Sequence, residues 1–193
     1  MTDEELISGI IDENQLYFKI FVDKYQSLVL NTCFHFTHNK NDAEDITQEV
    51  FIKAYQTIEK FTFQSKISTW LYRIAVNKSL NFIRDNKKRT IFKSLESFFS
   101  SNVKYNPPTE DTLAEDAYDD IKTQRLISLR NAINLLPENQ KTAFILHNYE
   151  SISYKEIATI MDVSIASVEG LIHRAKLNIQ KNILKKIKKS KSL

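Results

Sequence analysis

The chain has 193 residues, enough for one large domain or two small ones, with 42% hydrophobic residues and a formal net charge of +3. Only two glycines and three prolines occur, which excludes a Gly-rich phosphate loop, a dinucleotide fingerprint and a sheet built on Asn-Gly or Asp-Gly hairpins. A single cysteine excludes an internal disulfide and fits a reducing cytoplasm; no run of about 20 apolar residues is available to enter a membrane.

The acidic start, MTDEELISGI, lacks a signal-type apolar run. Residues 16–36 carry Leu16, Ile20, Phe21, Tyr25, Leu28, Val29, Cys33 and Phe36 at helical spacing. NKNDAEDI interrupts that stripe and opens a second helix, with Asn41 and Glu44 as a capping pair and Ala43, Ile46, Val50, Ala54 and Ile58 on the buried side. EKFTFQSK reads as a loop, and Ser68 or Thr69 can cap a third helix running to about Lys88. From Thr90 onward the pattern weakens into a Ser-rich, then Pro-Pro, then acidic stretch, read as a linker in which Phe98 and Phe99 dock on another surface.

A second helical block starts near Ile121, with a stripe of Leu126, Leu129, Ala132, Ile133 and Leu136 and with Pro137 in the first turn of a further helix. Ser153 and Glu156 have capping-box spacing and open a short helix through Met161. Residues 162–164 form a turn, Ser164 caps the last helix, and Val168, Ile172, Ala175, Ile179 and Ile183 line its inner side. The expected fold is all-α: two small helical domains, 1–91 and 121–193, joined by a flexible acidic linker at 92–120, the second domain being a helix-turn-helix.

Charge is unevenly placed. Arg84, Lys87, Lys88, Arg89 and Lys93 form one basic cluster and the C-terminal lysines another, with TEDTLAEDAYDD between them. Either two poles hold a polyanion, or solvated helix ends flank a solubilising linker. Arg73, Asn77, Asn81, Arg84 and Lys88 share one face of the third helix, beside Phe61, Phe63, Trp70, Tyr72 and Phe82. Cations that follow phosphates and rings that accept unstacked bases are what single-stranded nucleic acid requires; the competing reading is a wet polar stripe with Trp70 and Phe82 in the core. Asp45, Gln48, Glu49 and Lys53 form the outer face of the second helix, either solvated or a protein-docking surface. On the last helix Ser167, Gly170, His173, Arg174 and Lys176 or Leu177 point outward, and the Ser, His, Arg and Lys side chains can meet phosphates or base edges. Glu169 can accept from a cytosine amino group, or simply favour a helix N-terminus. An ordinary helical hairpin would show the same apolar spacing. Cys33, His35 and His38 do not form a metal site, because positions two apart on a helix diverge; no metal, cofactor or catalytic set is expected.

The segments DAEDITQEVFIKAYQTIEKF and STWLYRIAVNKSLNFIRDNKKR resemble region 2 of bacterial RNA polymerase sigma factors of the extracytoplasmic-function (ECF) group in the sigma-70 family. LPENQKTAFILHNYESISYKEIATIMDVSIASVEGLIHRAK resembles region 4. The likeness covers roughly residues 16–89 and 126–183. It implies a non-enzymatic cytoplasmic subunit that binds core RNA polymerase and directs promoter recognition, −10 melting and transcription initiation. In that family Asp45, Gln48, Glu49 and Lys53 match the segment that binds the β′ clamp helices. Phe61, Gln64, Ser65, Trp70, Arg73, Asn77 and Asn81 match the loop and helix that take a flipped base of the −10 element. Arg84, Lys87, Lys88 and Arg89 match residues holding the duplex upstream of it. Ser153, Ser164, Ser167, Glu169, Gly170, His173, Arg174 and Lys176 fall in the unit that reads the −35 element and touches the β flap. An anti-sigma factor is a further partner the likeness implies. The chain departs from the family at Glu169, Gly170 and Leu171, where many members carry Lys or Arg, Ser and Arg; this puts a standard −35 sequence in doubt. The alternative is a stand-alone helix-turn-helix regulator binding duplex operators without polymerase.

Overall fold

The computed structural model describes residues 2–99 and 120–190. The described residues form eight α-helices and no strand: α1 (Asp3–Ile11), α2 (Gln15–Thr37), α3 (Lys40–Thr57), α4 (Ile67–Phe99), α5 (Asp120–Asn134), α6 (Glu138–Asn148), α7 (Tyr154–Met161) and α8 (Ile165–Ser190), with one 3-10 turn at Ile58–Lys60.

The first unit is α1 to the front half of α4. A reciprocal capping box starts α1: Glu5 N–H donates to Thr2 Oγ1 (3.2 Å) and Thr2 N–H to Glu5 Oε2 (2.7 Å). Gly9 lets α1 lie directly on the ring of Tyr17, because a Cβ there would stand 2.3 Å from Tyr17 Cγ. Phe21, Val29 and Cys33 of α2 meet Ala43, Val50 and Ala54 of α3 and Leu71 and Ala75 of α4, all fully or almost fully buried. The inward residues expected on α3 are all buried, because one stripe at three- and four-residue steps needs only one neighbouring surface.

Asn39, not Asn41, caps α3. His38 ends α2 in the left-handed region (φ 55°), which leaves Asn39 extended, and Asn39 Oδ1 accepts from Asp42 N–H at 3.1 Å. Asn41 is already inside the helix. Ser68 and Thr69 likewise lie within α4, which begins at Ile67. That helix continues to Phe99, past the end expected near Lys88; residues 90–99 hold no Gly or Pro to stop it. Most of the expected linker, residues 100–119, lies outside the described residues.

The second unit matches its sequence pattern closely. Ser153 caps α7, with Glu156 N–H donating to Ser153 Oγ (3.3 Å), and Ser164 caps α8, with Ser167 N–H donating to Ser164 Oγ (3.1 Å). Asp162, left-handed at φ 55°, closes the turn between them. Ala132, Ile133 and Leu136 pack on Ala175 and Ile179. Pro137 is the N-cap of α6 rather than its first residue. Leu126, expected inward, is 59% exposed, and so is Leu16 at 61%: Leu16 is the second residue of α2, and Leu126 precedes the α5 residues that pack on α8.

The two units are not separate. One apolar cluster contains Phe36 of α2 and Val76 of α4 together with Leu146, Ile157 and Ile160 of the second unit, and Tyr72, Leu80 and Ile83 of α4 pack against it. Helix α7 lies on α4, and α6 touches α2.

Candidate nucleic-acid and polymerase interfaces

The loop before α4 and the first turns of that helix bring an aromatic group together. Phe61 and Trp70 have ring centroids 5.3 Å apart, and Phe61 and Phe63 5.0 Å in an edge-on pair. Phe61 and Trp70 are half-buried against the first core, so each anchors a ring while leaving part of it open. Phe63 is exposed and left-handed (φ 55°), a costly conformation for a bulky side chain. Gln64 is exposed and Ser65 half-buried beside it. Trp70 and Phe82 both pack on the first core, and each keeps part of its ring accessible.

Asn77, Asn81, Arg84, Lys87, Lys88 and Arg89 follow along α4, all exposed. Arg84 donates to Asn81 Oδ1 (3.3 Å) and pairs with Glu138 of α6 at 3.1 Å. Arg73 is also claimed: its guanidinium donates to the carbonyls of Thr159 and Ile160 (3.3 Å to the latter), in the last turn of α7. A helix C-terminus presents unpaired carbonyls and partial negative charge, which suits a cation.

Around that contact the seam between the units is unusually polar. Lys66 pairs with Glu156 at 2.7 Å. Tyr72 donates to Glu150 Oε2 at 3.3 Å, and burial raises both groups' pKa values, the neighbouring carboxylate adding to the effect on Tyr72. The ring of His35 stacks on Tyr149 with centroids 4.5 Å apart. Lys141, only 6% exposed, donates to Phe36 O (3.1 Å) and Asn134 Oδ1 (2.8 Å). Burial pulls its pKa down to about 8, with Lys87 nearby acting in the same direction. His38 is pulled down to about 4 by burial, then by the charges of Arg130 and Lys141 and by His35.

Asp45, Gln48, Glu49 and Lys53 are exposed on α3 of the first unit, with Glu49 reaching Lys78 at 2.8 Å. Sequence reasoning stopped there, but the same step pattern continues to Ile52 (57% exposed) and Tyr55 (46%). Those two line a mostly apolar groove of about 470 Å³ with Phe18, Val22, Phe51 and Gln48. The signal lies in the spacing 45, 48, 52, 55, where an apolar residue on a polar face reads as noise in the sequence alone.

On α8, Ser167, Glu169, His173, Arg174 and Lys176 are exposed, and Gly170 half-buried. Ser153 and Ser164 are exposed, but their hydroxyls serve the caps described above; Ser164 Oγ lies 2.8 Å from Ser167 Oγ. A Cβ on Gly170 would meet only Arg174, at 3.7 Å or more, so packing does not require a glycine there. No group of three or more side chains able to hold a metal gathers among the described residues, and no described helix is long and apolar enough to cross a membrane.

Residues 21–89 match the family model for sigma-70 region 2, and residues 126–179 that for sigma-70 region 4. The chain is 34% identical to an ECF RNA polymerase sigma-E factor of Haemophilus influenzae, over 95% of this chain and 96% of that one. Among solved structures it resembles CnrH in complex with the cytosolic domain of CnrY (TM-score 0.64, 18% identical, 93% of this chain and 95% of that one). It also resembles the sigma factor RpoE of Bartonella quintana in complex with the anti-sigma factor NepR (TM-score 0.57, 21% identical, 87% and 96%). With two helical units in the order region 2, region 4, and a relative this similar along nearly its whole length, the chain belongs to the ECF group of the sigma-70 family, the factors that bind core RNA polymerase and direct promoter recognition and transcription initiation.

Proposed function

We propose that three surfaces divide the work of initiation. The rim formed by Phe61, Phe63, Gln64, Ser65, Trp70, Asn77 and Asn81 takes an unpaired base of the −10 element, and Arg73, Arg84, Lys87, Lys88 and Arg89 hold the flanking phosphates. Extruding a base costs a few kcal/mol; stacking on aromatic rings returns about 1–3 kcal/mol per base. The observation that carries this reading is the aromatic group of Phe61, Phe63 and Trp70 at the head of one helix whose outer face continues as exposed amides and then cations. The α8 face from Ser167 to Lys176 reads the −35 duplex, with Glu169 and Gly170 shifting its sequence preference. The groove and polar rank of α3 dock on the β′ clamp helices: exposed Ile52 and Tyr55 supply apolar area, Asp45 and Glu49 supply negative charge that sets orientation, and Gln48 adds a neutral hydrogen-bonding amide. The second unit also meets the β flap.

In this reading the protein is cytoplasmic and performs no chemistry itself; the nucleotidyl transfer belongs to the polymerase. The described likeness to a factor held by an anti-sigma protein supports capture by such a partner here too.

Run-off transcription with core polymerase over a genomic library, followed by the same assay with Trp70→Ala and Asn77→Ala, tests the strand-reading assignment. A contact of about 1–3 kcal/mol predicts a loss of roughly fivefold or more for each variant. Unchanged transcription from the mapped promoters would overturn it.

A further inference from the structure

Beyond Lys176 the last helix carries a face that none of the promoter or polymerase assignments uses. Leu177 (52% exposed) and Leu184 (51%) stand seven residues apart, and with Gln180, Lys181 and Lys185 they line one shallow depression of about 300 Å³. Steps of three, four and seven residues place these five side chains on one side of α8. The other side holds Ala175 and Ile179, buried against Ala132, Ile133 and Leu136. Two large aliphatic side chains thus point into water, away from the core of their own unit.

Charge on this stretch has one sign. From residue 175 onward the sequence holds seven lysines and no acidic residue. Lys181 and Lys185 are exposed beside the leucines, and Lys186 donates to Ser128 Oγ of α5 at 3.3 Å.

Leucine and lysine together narrow the partner. Nucleic acid phosphates take up the lysines, but the aliphatic side chains would stay in water and gain nothing. A second copy of the chain would cover the leucines but set lysines against lysines. An amphipathic helix of another protein seats in a groove, whereas all five side chains here come from one helix. An anionic lipid surface uses both residue types. Its head-group phosphates accept from the ammonium groups, and the leucines enter the boundary with the acyl chains beside the methylene stems of the lysines.

We propose that the face of α8 from Leu177 to Lys185 is a peripheral binding surface for membranes rich in anionic phospholipid. The helix lies along the surface and does not enter the hydrocarbon. Each lysine close to such a surface raises the partition constant about fivefold. Burying the exposed half of a leucine contributes a similar factor. Two of each make the attachment reversible and sensitive to lipid composition.

The test floats the full-length chain, without polymerase, on extruded vesicles. One set contains equal parts of phosphatidylglycerol and phosphatidylcholine, the other phosphatidylcholine alone. The wild type should float with the mixed vesicles only, and should be released in about 1 M salt, where the screening length falls to about 3 Å. Leu177→Gln combined with Leu184→Gln, and Lys181→Gln combined with Lys185→Gln, should each lower partitioning by about twentyfold. Circular dichroism should show helix content retained in both variants, since all four positions are exposed. A wild type that ignores the mixed vesicles overturns the proposal without any variant. Flotation indifferent to the leucine pair overturns it as well, because that is diffuse adsorption of a cationic chain. Binding of random-sequence duplex DNA through Lys181 and Lys185, with no lipid binding, would assign the face to nucleic acid. A dimer in sedimentation that the leucine pair dissociates would assign it to a second copy.

Discussion

Replacing Lys141 by methionine tests the electrostatics of the seam most directly. The ammonium is buried, held by Phe36 O and Asn134 Oδ1, and its pKa falls from 10.5 to about 8. A group whose folded pKa is depressed in this way binds fewer protons folded than unfolded, so stability rises with pH between about 8 and 10.5 and the burial penalty is fully present below 8. At 1.36 kcal/mol per pH unit, that penalty is roughly 3 kcal/mol at pH 7. Lys141→Met removes it, but leaves the buried Phe36 carbonyl without its donor, at about 1–3 kcal/mol; Asn134, being exposed, can turn to water. The net change at pH 7 is therefore near neutral to about 2 kcal/mol stabilising. The sharper expectation is the pH dependence: relative to wild type, the variant should lose roughly 2 kcal/mol of advantage between pH 7 and 9.5 as the wild-type lysine sheds its proton. Urea unfolding of both proteins at four or five pH values measures the difference, and the paired comparison cancels titration of Cys33 and the tyrosines. A wild-type-to-variant gap that stays constant across that range would refute the argument.

The acid side has a second marker. His38 sits at about 4 because burial, Arg130, Lys141 and His35 all oppose its protonation, so its contribution is present above pH 6.5 and is lost as pH falls toward 4; His38→Asn, which tolerates the left-handed backbone, should flatten that part of the stability profile relative to wild type. Gly9→Ala drives a methyl into the Tyr17 ring and should cost about 1–3 kcal/mol in denaturant unfolding. Gly170→Ala makes only ordinary van der Waals contact with the Arg174 side chain, so it should stabilise α8 by up to about 1 kcal/mol; if the backbone there approaches a phosphate closely, duplex affinity in an anisotropy titration falls even as the melting temperature rises. On α3, Ile52→Asp places a charge at the exposed mouth of the apolar groove; it should weaken association with core polymerase in a pull-down by about tenfold or more while leaving the melting temperature within a few degrees.

Helix identity, the capping serines of α7 and α8 and the inward faces of α3 and α8 were legible from the amino acids alone. Each is encoded within four residues: a cap joins positions three apart, and a buried stripe repeats every three or four. The same locality explains the small errors. Asn39 and Asn41 are equivalent as caps until His38 is seen to end α2, and α4 outruns its expected stop because no breaker residue interrupts it.

What the tertiary structure decided is which exposed-looking side chains meet each other. Arg73, Arg84 and Tyr72 occupy positions on α4 that look the same in the sequence whether they face a nucleic acid strand or the end of α7, and Ile52 and Tyr55 look the same whether a groove lies beside them or not. Periodicity records the direction a side chain leaves its helix; the surface waiting there depends on residues far away in the chain, 54 positions for Arg84 and Glu138 and 105 for Phe36 and Lys141, and a helical pattern that repeats every few residues carries no information over that range.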